Sequence, residues 1–450
     1  MTAAAEACHF VDVLDRHARR LGGRDAVLFL ADGRRVSASV SFAALRRDAL
    51  EIAGGLRRRY RAQARVLIML PSGLDYVGAF LGCLYGNLVA VPLFPPVSRP
   101  RHLERIHRII ADAAPAAILC EAPARPVLQT LLSERNIAAD VLAVDQLRDA
   151  GAPETPDLRG DTLAFLQYTS GSTVAPKGVM VQHRQLLANC RLMQHARGFA
   201  EDDRMVSWLP LYHDMGLIGG LLTALYCAMP CYLMASQTFA RTPSVWLEAL
   251  SNYQGSVSFA PNFAYALCSR AVDDAVIDRL DLRRWRHAVN GAEPVHPATL
   301  DEFCRRFARA GFRPDAFSPG YGQAEATLCV SIALPGQPPL RLAVDTRALA
   351  AGQVRPARDG APATVLAACG CPQPGHDVAV VDPQTGRRCA AGEVGELWLR
   401  GPSIAAGYWR NATATAAAFR ARLGDDGDYL RSGDLGFLHQ GQVVICGRLH

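Results

Sequence analysis

Apolar residues along the 450-residue chain come in short runs that alternate with segments of helical spacing. The run RVLIML at 65–70 is nearly unbroken, as a strand buried on both faces requires. In SGLDYVGAFLGCLYGN (72–87) the apolar positions recur every three or four residues, which predicts a helix that Asn87 can close. A strand at 89–93 follows, then the proline-rich link FPPVSRP (94–100), a basic helix over 101–112 and a strand in AAILC (116–120). The alternation resumes downstream, with strands at 163–168, 205–209, 257–260 and 287–290 and helices at 182–195, 246–253 and 262–271. This order predicts an α/β fold, with mostly parallel sheets covered by helices on both faces. From about 366 the pattern changes. DVAVVD (377–382), GELWLR (395–400) and QVVIC (442–446) are strands separated by turns, with little helix between them. The expected architecture is multi-lobed: two α/β subdomains over 1–365, with two mostly parallel sheets flanked by helices, and a smaller β-rich lobe over 366–446. The intervening stretch 335–363, rich in Pro, Gly and Arg, reads as an exposed excursion.

Composition narrows the class. The chain is 50% hydrophobic and 20% charged, enough to build a large core and too apolar for a disordered protein. The net charge of +6 is small against 48 basic and 42 acidic residues. It fits an anionic substrate and gives no reason to invoke nucleic acid. Of the 13 cysteines, only Cys227/Cys231 and Cys369/Cys371 are close pairs, and neither has zinc-site partners at the required spacing. Free thiols in a reducing cytoplasm are the expectation. The N-terminus has no basic segment followed by an apolar core, so it does not read as a secretory signal. The uncharged run 215–236 is long enough to span a bilayer, but Pro230 and Gly216, Gly219 and Gly220 interrupt it. A buried helix followed by a buried strand is expected there, and no stable membrane span.

Candidate chemistry centres on FLQYTSGSTVAPKGVMVQH (165–183). A strand that ends in a turn rich in glycine and hydroxyl groups presents N–H and O–H donors that can wrap phosphate oxygens, and Lys177 adds a charge. Ser, Thr and Gly also mark ordinary flexible loops, so TSGST alone leaves both readings open. The Walker pattern is absent, because Lys177 stands between Pro176 and Gly178.

YTSGSTVAPKGV resembles the phosphate loop of adenylate-forming enzymes: acyl-CoA synthetases, luciferases and the adenylation domains of peptide synthetases. Further motifs similar to that superfamily's follow in order: LPLYHDMGLIGG (209–220), APNFAY (260–265), NGAEPV (290–295), YGQAEATL (321–328), RSGDLGFL (431–438) and Gly447-Arg448. The variants LPLYHDMGLIGG, NGAEPV and GQAEATL look like the fatty acyl-AMP ligase branch, as does the N-terminal CLYGNLVAVPLFPPV. The excursion near 340–356 is similar to an extra segment of that branch thought to disfavour transfer to coenzyme A. The resemblance implies the N-terminal part of an adenylate-forming fold, with ATP and Mg²⁺ as cofactors and a fatty acid as substrate. It also implies an acyl carrier protein of a lipid or polyketide assembly line as acceptor, and a cytoplasmic location.

Site residues carry over motif by motif. The resemblance implies that Thr169, Ser170, Gly171, Ser172 and Thr173 line the triphosphate, with Lys177 near the β- and γ-phosphates. Glu325 becomes the Mg²⁺ ligand, as suits a hard carboxylate; without the motif it is equally a charge at a helix start. Tyr321 and Gly322 present a flat face to adenine, with Gly291, Ala292 and Glu293 as the opposite wall. Asp434 binds the ribose hydroxyls, and Arg448 reaches the ribose or the α-phosphate. In isolation, Tyr321 reads as packing and Asp434 as a turn residue. His213, a core histidine on its own, is implied to meet the carboxylate or adenylate. Met215, Leu217, Asn262 and Phe263 are the acyl-channel candidates.

One departure is plain. Family members continue beyond the Gly-Arg motif into a C-terminal subdomain that supplies a lysine, whereas residues 447–450 reach only the start of that hinge. A piece of this extent is expected to bind substrate, to adenylate weakly and to fail at transfer. The alternatives are a long-chain acyl-CoA synthetase and a non-catalytic protein that holds acyl-adenylate.

Overall fold

The computed structural model describes residues 8–96, 100–148, 151, 158–169 and 176–449. The chain divides into two compact units. The first comprises Met1–Leu187, Trp208–Ser236 and Ala405–Ala412, and the second Ala188–Ser207, Gln237–Ile404 and Thr413–His450.

The first unit is built on a six-stranded sheet. Its strands lie in the order Asp140–Ala143, Ala117–Cys120, Arg65–Met69, Val89–Pro92, Leu163–Tyr168 and Gly178–Gln182. The first five are parallel, and the last returns antiparallel. Val66, Leu67, Ile68 and Met69 are all buried, which is why that stretch reads as an apolar run with no alternation. Helix Leu74–Tyr85 is buried from Tyr76 onward and ends at Gly86, and Asn87 then takes φ +52°, a turn Asn tolerates. From Arg65–Met69 the chain passes to Val89–Pro92 on one side. From Val89–Pro92 it returns through helix Pro100–Ala113 to Ala117–Cys120 on the other side. The two connections diverge at the carboxyl ends of adjacent strands, the place where open parallel sheets bind ligands. Three more strands of this unit lie in the order Cys231–Leu233, Asp25–Phe29 and Ala38–Ser41.

The apolar run at 215–236 resolves as a buried helix and strand, as expected. Met215–Leu222 winds with wide π-type turns, Thr223–Tyr226 continues as α-helix, and Cys231–Leu233 is a strand. Thr223 Oγ1 donates to the carbonyl of Ile218 at 2.7 Å, five residues back. Among the described residues no helix is long and apolar enough to cross a membrane.

In the second unit, Met205–Ser207, Val257–Ala260, His287–Asn290 and Phe317–Gly322 form a parallel array, extended antiparallel by Cys329–Ile332 and Cys371–Pro372. Aromatic rings fill its core: Tyr265 meets Phe303 and Phe317 edge-on with centroids 5.3 and 5.1 Å apart. The β-rich lobe is an antiparallel sheet in the order Asp377–Val381, Gly395–Arg400, Asp428–His439 and Ala421–Arg422, with Gln442–Arg448 also on Asp428–His439. The lobe holds one helix the pattern did not predict, Ala412–Phe419. The excursion at 335–363 is exposed along much of its length but folded. Arg341–Asp345 pairs antiparallel with Ala363–Ala367 around helix Thr346–Ala350, which Asp345 caps through Ala348 N at 2.7 Å.

Candidate active site

Within the second unit, Tyr321, Asp434 and Arg448 form one hydrogen-bonded chain. Tyr321 lies on Phe317–Gly322, and its hydroxyl donates to Asp434 Oδ2 at 2.9 Å. Arg448 Nε donates to Oδ1 of the same carboxylate at 2.7 Å. Asp434 and Arg448 are cross-strand partners, so the register of the last hairpin sets this pair. Asp434 is buried, at 6% exposure, whereas the Arg448 side chain is 68% exposed. Burial, and then the Asp434 charge, push the Tyr321 phenol well above its usual pKa. The hydrogen bond that Arg448 donates to Asp434 raises the pKa of the guanidinium.

Asp434 is held from behind by a group the sequence reading missed. Glu396 is buried and accepts from Trp398 Nε1 at 2.9 Å, Arg431 Nη2 at 2.8 Å and Gly433 N at 3.2 Å. These bonds fix the turn immediately before Asp434. The only sequence signal was an acid inside the apolar strand GELWLR.

Glu325 lies in the short turn Ala324–Ala326, and its charge contributes to the raised pKa of Arg448. The next turn is strained. Thr327 adopts φ +70° and ψ −57°, a γ-turn that a β-branched residue rarely takes. Its hydroxyl is tied to the carbonyl of Ser403 at 2.6 Å. A side chain at Gly322 would place its Cβ 1.7 Å from the carbonyl oxygen of Leu328, so only glycine fits where the strand passes this turn. Gly291 is close to Gly320, and Ala292 takes φ +67°. Glu293 accepts from the backbone N–H of Phe263. Asn262 is buried, and its amide bonds Thr299, Asn290 and the His296 N–H. Phe263 beside it is 49% exposed.

Within the first unit, Thr169 and Lys177 flank the same end of the sheet, because Tyr168 pairs with Gly178. Ser170, Gly171, Ser172 and Thr173 lie outside the described residues. Lys177 Nζ stands 5.0 Å over the ring of Tyr408. That tyrosine belongs to a strap the sequence reading also missed: residues 406–409 bond backbone to backbone with Gly178 and Met180. Its signal was the aromatic pair in GYW (407–409) after a run of small residues.

His213 directly precedes the wide helix that carries Met215 and Leu217, both buried. Its Nδ1 is 2.8 Å from Asp214 Oδ1, and Asp214 also caps the helix through Met215 N at 2.7 Å. Burial works to lower the His213 pKa, but the Asp214 charge and hydrogen bond raise it above the ordinary histidine value. A Cβ at Gly216 would lie 2.3 Å from the Pro210 carbonyl, so the helix backbone packs directly on the LPLYHD turn.

Tyr321, the buried Asp434 and the exposed Arg448 thus form one hydrogen-bonded chain, and the Glu325 turn adds a second carboxylate whose charge acts on Arg448. The chain belongs to the AMP-binding enzyme family, whose profile matches residues 14–409. It is 37% identical over 453 residues to the medium-chain-fatty-acid–[acyl-carrier-protein] ligase JamA of Moorena producens, covering 98% of this chain and 76% of that protein. It is 37% identical over 437 residues to the long-chain-fatty-acid–AMP ligase FadD23 of Mycobacterium tuberculosis, covering 93% and 74%. Among solved structures it matches a fatty acyl-adenylate ligase from L. pneumophila in complex with acyl adenylate and pyrophosphate. That match has a TM-score of 0.93 and 33% identity, over 100% of this chain and 79% of that one.

Proposed function

We propose that the chain joins a fatty acid to AMP, for transfer of the acyl group to an acyl carrier protein. A carboxylate oxygen attacks the α-phosphorus of ATP. The bond from that phosphorus to the bridging oxygen breaks, and pyrophosphate leaves with the electron pair. The observation that carries the reading is the Tyr321–Asp434–Arg448 chain: a buried carboxylate with an oriented acceptor face suits two vicinal hydroxyls, as a ribose presents. The Moorena and Mycobacterium relatives support the substrate class, and the Moorena ligase alone supports the acceptor.

In this reading, Tyr321, Gly322 and the 291–293 segment hold the adenine, and Arg448 neutralises charge near the α-phosphate. Lys177, Thr169 and the 170–173 stretch bind the β- and γ-phosphates. Protonated His213, favoured by Asp214, draws the substrate carboxylate to the start of the channel formed by Met215 and Leu217. Within the second unit, Asn262 and Phe263 are the further candidates for contact with the acyl chain. No cluster of three acidic, histidine or cysteine ligands occurs among the described residues. The single hard carboxylate of Glu325 fits Mg²⁺, which takes one or two protein carboxylates with phosphate oxygens and water completing its shell. Bound there, the metal would offset the charge of the phosphates. The thiols at Cys227, Cys231 and Cys268, all buried, suit a cytoplasmic enzyme.

The test is product analysis. The protein is incubated with ATP, Mg²⁺, a fatty-acid mixture, coenzyme A and a phosphopantetheinylated carrier protein, and products are read by mass spectrometry. Acyl-AMP without acyl-CoA is expected. Acyl-CoA as the main product would favour a synthetase, the activity named for a putative M. tuberculosis fatty-acid–CoA ligase that is 39% identical over 415 residues. Binding of acyl-adenylate with no product from any acceptor would favour the non-catalytic reading.

A further inference from the structure

Helix Pro100–Ala113 starts where the two connections of the first unit's sheet diverge. In its second turn, Arg105 donates through Nη2 to the carbonyl of Thr169 at 3.2 Å. Its guanidinium carbon lies 5.5 Å over the ring of Phe94, which meets Tyr212 edge-on at 5.9 Å. Arg105 is therefore fixed between the end of strand Leu163–Tyr168 and the residue before His213.

Three facts give that position meaning. Thr169 and Lys177 flank one end of the sheet, so the guanidinium and the ammonium serve the same edge. Among the described residues no carboxylate pairs with Arg105, whereas Glu104 on the same helix is taken by Arg108 at 3.1 Å and Arg135 at 3.6 Å. Finally, Thr169 occupies one of the five N–H donors of the guanidinium, and the planar fork matches phosphate oxygens. A plainer account is a surface arginine that merely braces a strand end. It leaves unexplained why this cation is unneutralised at the edge where ligands bind.

We propose that Arg105 is a second cation for the pyrophosphate half of ATP, acting beside Lys177 on the leaving group. The inference rests on the reading under Proposed function. It adds a residue from outside the motifs and places the charge compensation for departure on the first unit's sheet edge. Arg105 holds the β- and γ-phosphates as the α-phosphorus bond breaks, and it favours pyrophosphate rebinding in the reverse direction.

The experiment is a calorimetric titration of wild type, Arg105→Ala and Arg105→Lys with magnesium pyrophosphate. A parallel titration uses a non-hydrolysable acyl-adenylate analogue, which has no β- or γ-phosphate. The expected result is a tenfold or greater loss of pyrophosphate affinity in the alanine variant and a smaller loss in the lysine variant, which keeps the charge but not the fork. Analogue affinity should stay within twofold. Pyrophosphate affinity within twofold of wild type in the alanine variant would overturn the proposal. So would an equal loss for the analogue, or a wild type that does not bind pyrophosphate. If the alanine variant does not fold, the lysine variant decides on the same terms, with a threefold loss confined to pyrophosphate as the criterion. Acyl-AMP synthesis by the wild type is scored separately. Its failure sinks the catalytic reading, and the titrations still decide Arg105.

Discussion

Replacing Asp434 with Asn separates the fold of the proposed nucleotide site from its charge. In the structure Oδ1 takes Arg448 Nε at 2.7 Å and Oδ2 takes the Tyr321 hydroxyl at 2.9 Å. An asparagine keeps its oxygen on Arg448 and turns its NH₂ toward the tyrosine oxygen, which accepts as readily as it donates. The lost ion pair is with an arginine that is 68% exposed, so it contributes little to stability. The thermal midpoint should stay close to wild type. Nucleotide binding should not. A hydrogen bond to a charged acceptor contributes ~1.5–3 kcal/mol and a neutral one ~0.5–1.5 kcal/mol, so each ribose hydroxyl loses about 1 kcal/mol. Two hydroxyls give ~2 kcal/mol, or about thirtyfold in affinity at 1.4 kcal/mol per decade. Calorimetry with ATP, alongside the fatty-acid KM of the exchange reaction, reads the two effects separately. ATP affinity within threefold of wild type, or an equal loss for the fatty acid, would refute a ribose role for Asp434.

Other perturbations probe the remaining parts. Glu325→Gln should remove most Mg²⁺-dependent turnover while thermal unfolding is little changed; retained turnover across a Mg²⁺ titration would exclude it as the metal ligand. Gly322→Ala should destabilise by ~3 kcal/mol or more, since the new methyl meets the Leu328 carbonyl at 1.7 Å and the backbone must move; denaturant midpoints check this. Asp214→Asn should lower the His213 pKa. In the wild type this pairing stabilises the folded state fully below about pH 6.5 and is lost as pH rises through the raised folded value, so the variant's stability should lose that slope. An NMR titration of the His213 ring gives the shift directly, and an unchanged value would count against the pairing.

Much of the fold was legible because burial on both faces leaves a simple trace. The strands at 163–168, 257–260 and 287–290 have the bounds the apolar runs gave them. The excursion at 335–363 was harder. Its hairpin places small and half-exposed residues such as Ala343 and Val365 opposite each other, so no apolar run marks it. The wide turns of Met215–Leu222 were hidden for another reason. A run with no polar position has no periodicity to distinguish one helical pitch from another. The site followed the same logic. Tyr321, Asp434 and Arg448 were named from motifs, but their joining depends on strand register, which spacing does not reveal. Arg105, Tyr408 and Glu396 lie in segments whose local patterns are those of an ordinary helix, loop and strand. What makes them notable is the distant residues they meet.

The strap at 406–409 also bears on how the chain is made. Its backbone completes the outer edge of Gly178–Gln182, yet more than 220 residues separate the two segments. At roughly 5–20 residues per second, a ribosome takes roughly ten to forty seconds to supply the missing partner. Throughout that interval the outer edge of Gly178–Gln182 stands with unpaired amides, a template for any other extended chain. Synthesis is therefore a stage at which this edge is open to aggregation, and slow elongation or chaperone shortage should reduce the soluble yield without a change in melting temperature.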